Sequence, residues 1–168
     1  MKMKPLIIGL CMFLGFYGTP AKAQVMTEVQ ALNFGTFAII DNSAPHTIII
    51  SPNNVAAYDP SIVSGIEAER GHYTLTGMPT DVTFTLGVSI SNPPTDGGLM
   101  LDNQTSVTLG GSEPFLLLNF TVNTANEMVT DSGGNATLYI GATLRTTGSG
   151  SIYTDGTYNG TYDITFFY

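Results

Sequence analysis

Apolar and polar positions alternate along most of this chain, most clearly at its C-terminal end. In GTYNGTYDITFFY, residues 156–168, Tyr158, Gly160, Tyr162, Ile164, Phe166 and Tyr168 share one parity. Thr157, Asn159, Thr161, Asp163 and Thr165 share the other, and only Phe167 breaks the polar side. A period of two marks a strand with one buried face. The stretch therefore predicts one continuous C-terminal strand lying over a partner sheet. Each large side chain that it buries contributes about 1.5–3 kcal/mol.

The same pattern recurs upstream. Asp81 to Ser91 sends Val82, Phe84, Leu86, Val88 and Ile90 to one face and Thr83, Thr85, Ser89 and Ser91 to the other, which predicts a central core strand. Ala136 to Thr146 alternates through Leu138, Ile140, Ala142 and Leu144, and Arg70 to Gly77 through Tyr73 and Leu75. His46 to Ser51 carries Ile48, Ile49 and Ile50 in a row, the reading for a strand buried on both faces. Leu32 to Ile40 reads as a strand in which Gly35 marks a bulge or a close approach. Pro114 to Asn123 has a mixed face, Leu99 to Leu101 and Thr105 to Leu109 are brief strands, and Gln24 to Ala31 is a weak one carrying Val25, Thr27, Val29 and Ala31 on one parity. Clusters of Gly, Pro, Asn and Asp punctuate these runs, with Asn53 to Gly65 read as a long connection and Asn92 to Gly98 as a loop. Short strands without room for crossover helices predict an all-β fold, two antiparallel sheets face to face in Greek-key order.

The first residues read as an address instead. Lys2 and Lys4 precede an apolar run from Pro5 to Tyr17, and Ala21-Lys22-Ala23 is a small-x-small cleavage pattern. Residues 1–23 are expected to be a signal peptide cut between Ala23 and Gln24, leaving 24–168 as one sandwich domain. The run is short for a membrane span, which needs about 20 apolar residues, so no transmembrane segment is expected after cleavage. The only cysteine, Cys11, leaves with the signal, so the exported domain has no disulfide and must be held by its core. Removing Lys2, Lys4 and Lys22 leaves Arg70 and Arg145 against 13 carboxylates, 2 minus 13, or about minus 11. Such a surface repels nucleic acid and anionic membrane.

Catalytic chemistry is hard to assemble from what remains. The exported part has no Cys and no Lys, and His46 and His72 lack metal-ligand or nucleophile company, each reading as a surface or capping residue. Glu67 and Glu69 flank Ala68 without a calcium-loop framework, Gly148-Ser149-Gly150-Ser151 lacks the closing glycine of a nucleophile elbow, and Asp96-Gly97 and Asp155-Gly156 are turn chemistry. No enzyme, metal or cofactor is expected. Tyr58, Tyr153 and Tyr158 are of a type that stacks on sugar rings, which keeps a secreted carbohydrate-binding module as one alternative.

Three stretches together carry a resemblance. Leu32-Asn33-Phe34-Gly35-Thr36-Phe37, Tyr139-Ile140-Gly141-Ala142-Thr143-Leu144, and Gly156-Thr157-Tyr158-Asn159-Gly160-Thr161-Tyr162 running to Tyr168 resemble the secreted bacterial family called domain of unknown function 4402. Tyr73-Thr74-Leu75-Thr76-Gly77-Met78-Pro79 fits its middle. That family is similar in layout to spore-coat-U-like and chaperone-usher pilin subunits. The resemblance implies an immunoglobulin-like, pilin-like sandwich lacking one strand, completed by a strand from a periplasmic chaperone or a sibling subunit. It also implies that Gly156, Tyr162, Ile164, Phe166 and Tyr168 border the acceptor site, with Val25, Thr27, Val29 and Ala31 forming a donor strand. The chain departs from pilins in having no mature cysteine, a short N-terminal arm, and Tyr168 after Phe167 where the aromatic is commonly penultimate. The expected function is a non-enzymatic structural or adhesive subunit, for example of a fimbrium, at the periplasm, cell surface or outside the cell. A small eight-stranded outer-membrane β-barrel is the second alternative, from the terminal aromatic and the alternation.

Overall fold

A computed structural model describes residues 23–89, 99–103, 113–124 and 127–167. Residues 1–22 of the expected signal segment, Cys11 among them, with Ile90 and Ser91, the 92–98 loop, the 105–109 strand and Tyr168, lie outside them. Thirteen strands and no helix occur among the described residues. In chain order they are β1 (Val25–Gln30), β2 (Thr36–Ile39), β3 (Thr47–Ile50), β4 (Ala56–Tyr58), β5 (Ile62–Ile66), β6 (Gly71–Thr76) and β7 (Thr83–Ser89). There follow β8 (Leu99–Asn103), β9 (Phe115–Val122), β10 (Glu127–Val129), β11 (Ala136–Arg145), β12 (Tyr158–Asn159) and β13 (Asp163–Phe167).

The fold is an all-β sandwich. One layer is a sheet in the order β1-β6-β11-β9-β8-β12, with β3 and β4 attached through β11. The other is divided into β10-β7-β13 and the two-stranded β2-β5. All strand pairs are antiparallel, and no barrel closes among the described residues.

The spine of the large sheet is β11, whose inward Leu138, Ile140, Ala142 and Leu144 are buried. Along one edge it pairs first with β6, through Ala136 to Ile140, and then with β3, through Ala142 to Arg145. Gly141 sits where the partner changes. A Cβ there would lie 2.2 Å from the Ile50 carbonyl oxygen, so only glycine lets the three backbones meet. Gly35 does similar service before β2, with φ of 75° and the Ile66 carbonyl oxygen 2.1 Å from where a Cβ would stand. The close approach expected at Gly35 is therefore present.

Two hydrophobic clusters fill the space between layers. In one, Tyr73, Leu75, Leu138 and Ile140 of the large sheet meet Phe84, Leu86 and Met128 of β7 and β10, with Ile164 and Phe166 packed against them. In the other, Ile48, Phe115, Leu117, Ala142 and Leu144 meet Ile62, with Phe37 and Ile39 against them.

The alternation read in 81–88 and 136–144 matches the observed faces, and three expectations change. The C-terminal strand is not continuous: β12 pairs with β8 of the large sheet, while β13 pairs with β7 of the other layer. The chain crosses between layers at exposed Gly160, Thr161 and half-buried Tyr162, which preserves parity while exchanging partners. The β3 strand buries one face only, since Ile48 and Ile50 are 1% exposed and Ile49 is 47% exposed. The other layer covers a single side of it. Finally, the 53–65 connection contains β4 and most of β5, elements too short and too interrupted by Ser64-Gly65 to show a period.

Candidate functional site

The divided second layer leaves a groove. Residues 30–42, including β2, form one side, and residues 150–160 with Tyr162 form the other. Phe115, Leu117 and Leu144 of the large sheet line it between them, and its volume is about 1260 Å³. Ile40, Ile66 and Ile152 stand along it at 71%, 66% and 90% exposure. Exposed isoleucines gathered around buried apolar side chains are a surface that water solvates poorly.

Local chemistry holds the walls. The Asn42 side chain donates from Nδ2 to the Ser151 carbonyl at 2.9 Å and accepts at Oδ1 from the Gly148 N–H at 3.0 Å. The Gly150 N–H donates to the Asn42 carbonyl at 2.7 Å, so the 148–151 turn is stapled to the end of the β2 side. Glu113 Oε1 accepts from the Ser149 hydroxyl at 2.5 Å and from the Thr147 hydroxyl. These two hydroxyls, Ser149 first, hold the Glu113 carboxyl below the usual range. Phe115 is stacked with Tyr153 at 4.2 Å and meets Phe37 and Tyr158 edge-on at 5.5 and 4.7 Å. Tyr153 accepts from the Thr147 N–H and donates to the Pro114 carbonyl, and Tyr158 donates to the Thr154 carbonyl.

On β2 only one neighbour is paired, β5, and on β13 only β7. Each strand therefore has a second edge without a strand partner among the described residues. Main-chain N–H and C=O groups along such an edge form a template for an added strand.

The residues read as candidates from the sequence separate into three places. Gly156, Tyr162 and Ala31 line the groove. Ile164 and Phe166 face the core, Phe166 lying 5.7 Å from Phe84 in an edge-on contact. Val25, Thr27 and Val29 lie on β1, which pairs with β6 of its own chain and keeps these side chains exposed. Ala23 and Gln24 directly precede β1. Sequence reasoning missed Phe115, Leu117, Leu144, Ile40, Ile66 and Ile152 as a group. Their convergence depends on where the fold sets β2 and the 150–162 segment relative to the large sheet, which no local period encodes.

The remaining chemistry is engaged in structure. His46 Nδ1 meets Asp59 Oδ1 at 2.8 Å, and the His46 N–H donates to the Thr146 hydroxyl. His72 lies against Tyr139, and the Arg70 guanidinium covers that same ring at 3.6 Å while donating to the Pro52 carbonyl. Glu69 Oε2 accepts from Gln30. A smaller cavity of about 370 Å³ lies by the bulge between β11 and β9, where Asn123 spends both ends of its amide on Tyr139 and Thr137. Among the described residues no three His, Cys, Asp or Glu side chains group as metal ligands. No helix there is long and apolar enough to cross a membrane.

Tyr162 connects the groove to β1. Its hydroxyl lies 2.5 Å from that of Tyr73, and the Tyr73 hydroxyl also donates to Glu28 Oε2 at 3.3 Å. Burial, followed by the Tyr73 hydrogen bond, pushes the Tyr162 phenol well above its ordinary value, and burial raises Tyr73 as well. A phenol raised on folding is protonated in the folded state at a pH where the unfolded chain, with a pKa of about 10, has already ionised. Its contribution to stability is complete below about pH 10 and falls as the pH rises above it. We expect some tyrosines to ionise only as near-ultraviolet circular dichroism is lost, and Tyr162→Phe to move that loss to higher pH. Smooth ionisation of every tyrosine before any structural change would contradict this.

The family model described as Domain of unknown function (DUF4402) matches residues 25–168. The chain belongs to that family. The match begins at the first residue of β1 and covers both layers, so the DUF4402 unit of this protein is the whole sandwich and includes the strand that hangs on β6. No curated protein matches the chain, and no solved structure does.

Proposed function

We propose that this DUF4402 chain is an exported, non-enzymatic structural or adhesive subunit that assembles by β-strand addition. The observation that carries the reading is the groove where the second layer is interrupted. An extended segment laid there would pair with main-chain groups of a bordering edge and place alternate side chains over Phe115, Leu117 and Leu144. The partner in this reading is a sibling subunit or a periplasmic chaperone, and the pilin-like resemblance is what suggests the pair. Among the described residues Asp41 and Asp155 are the only charged ones lining the groove, so the added strand is expected to be neutral or weakly basic along the face it presents.

Two features support this over the other expected classes. Tyr58, Tyr153 and Tyr158 are half-buried and packed with the second core cluster, and the Tyr58 hydroxyl accepts from the Ala68 N–H. That leaves them poor platforms for a sugar. The interrupted second layer and the separate sheets also differ from the continuous ring of strands that a membrane barrel needs.

The test is assembly. Purified exported protein should form ladders that survive mild detergent without boiling. Ile152→Asp should thin them by setting a charge on the groove's apolar rim. Because Ile152 is 90% exposed, this change leaves the fold alone. A monodisperse monomer, indifferent to Ile152→Asp and to deletion of residues 24–31, would end the reading.

A further inference from the structure

We infer that β1 is an exchangeable strand: released from its own β6, it pairs with β6 of a second copy of this chain in the same antiparallel register. The inference rests on the strand-addition reading for the class of contact, and it assigns the N-terminal donor to the β6 edge rather than to the groove.

The way β1 is held carries it. Among the described residues this strand is the end of the large sheet and pairs only with β6, from Val25 opposite Thr76 to Gln30 opposite His72. Its side chains add little burial, since Val25, Met26 and Val29 are 49%, 43% and 55% exposed. What fastens it is the main-chain ladder, together with Tyr73 donating to Glu28 and Gln30 donating to Glu69. An element attached mainly by solvent-accessible backbone hydrogen bonds belongs to the least stable part of a fold.

The acceptor's specificity is already visible. Every partner of β1 in these contacts lies on β6 or just before it, so β1 of a second copy would find the same ladder, the same Tyr73 hydroxyl and the same Glu69 carboxylate. Exchange conserves these contacts in number, which is the condition for domain swapping. The hinge is short. Ala31 and Leu32 separate β1 from Asn33, whose N–H and C=O are both paired with Glu69. Docking within one chain has the advantage of proximity, so exchange is favoured by high protein concentration or by folding in a mixture.

The experiment uses full-length chains with Cys11→Ser, so that no other thiol reacts. Thr27 lies opposite Thr74. One chain carries Thr27→Cys, the other Thr74→Cys, and the two are refolded together over a range of concentrations before mild oxidation. We expect a disulfide-linked heterodimer whose yield rises with concentration, while a single chain carrying both cysteines closes internally. Val25→Cys with Thr76→Cys repeats the test two residues along the ladder. If the doubly substituted chains close but the mixtures give no linked dimer at any concentration, the exchange is refuted. If neither pair closes within a chain, the docked register is wrong and the exchange falls with it. Detergent-resistant ladders without the Thr27–Thr74 link would refute the exchange while leaving strand addition at the groove standing. Linked dimers with ladders indifferent to Ile152→Asp would support the exchange and refute the groove.

Discussion

Phe84→Ala should unfold most of the protein's margin of stability, costing about 3–5 kcal/mol in urea denaturation. Phe84 is 2% exposed near the start of β7, the strand joining β10 and β13. Its ring meets Phe166 of β13 edge-on at 5.7 Å, so truncation opens a void and also removes the contact that seats the last strand. Thr85, next along the strand, is exposed on the other face, and Thr85→Ala should cost under about 1 kcal/mol, as surface changes usually do. Equal losses at the two positions would mean that the register or the existence of β7 is wrong.

Gly141→Ala is the second large effect, and it acts on backbone rather than on a void. The added methyl would stand 2.2 Å from the Ile50 carbonyl oxygen and 2.8 Å from the Ser51 carbonyl carbon, both main-chain atoms that no side-chain rotation moves. Either β3 withdraws from β11 or the bulge facing β9 reorganises. A cost of about 3 kcal/mol, the upper end for overpacking, is expected. Gly150→Ala supplies the contrast. Gly150 has φ of 80° but nothing within 4 Å of a Cβ, so only the left-handed conformation is penalised, at about 1–2 kcal/mol. Comparable costs for the two would show that β11 tolerates a side chain where its partners change.

These predictions differ in how far the sequence foretells them. Phe84 announces itself, because Val82, Phe84, Leu86 and Val88 alternate with polar neighbours and a period of two survives whatever the strand pairs with. The same holds for Leu138 to Leu144. Gly141 appears in the sequence only as a small residue in an apolar strand; its role comes from β3 and β6 meeting β11 on one edge, contacts that join residues far apart in the chain. The C-terminal stretch illustrates both cases. Parity correctly put Tyr162, Ile164 and Phe166 on the inner side, yet it carried no sign that Tyr158 and Phe166 pair in different layers. The groove was still less legible, since Phe115, Leu117 and Ile152 each look like ordinary strand or turn residues until β2 and the 150–162 segment stand on either side of them. That Val25, Thr27 and Val29 form a strand was readable from alternation, and that β6 holds it was not.

The position of β11 late in the chain bears on how the protein reaches its fold. β3, β6 and β9 all need β11 as their neighbour, and β3 meets it across an interval from Ile50 to Ala142. A growing chain therefore lacks the spine of its largest sheet until residues 136–145 arrive. Until then β3 has only β4 beside it, β6 only β1 and β9 only β8, and the edges that β11 will occupy are open to wrong partners. Folding dominated by such distant pairings is slow, on the millisecond-to-second scale. Chains truncated before Ala136 should be insoluble or proteolysed rather than partly folded. An attendant that shields apolar strand edges until residues 136–145 arrive would thus be useful to this sandwich.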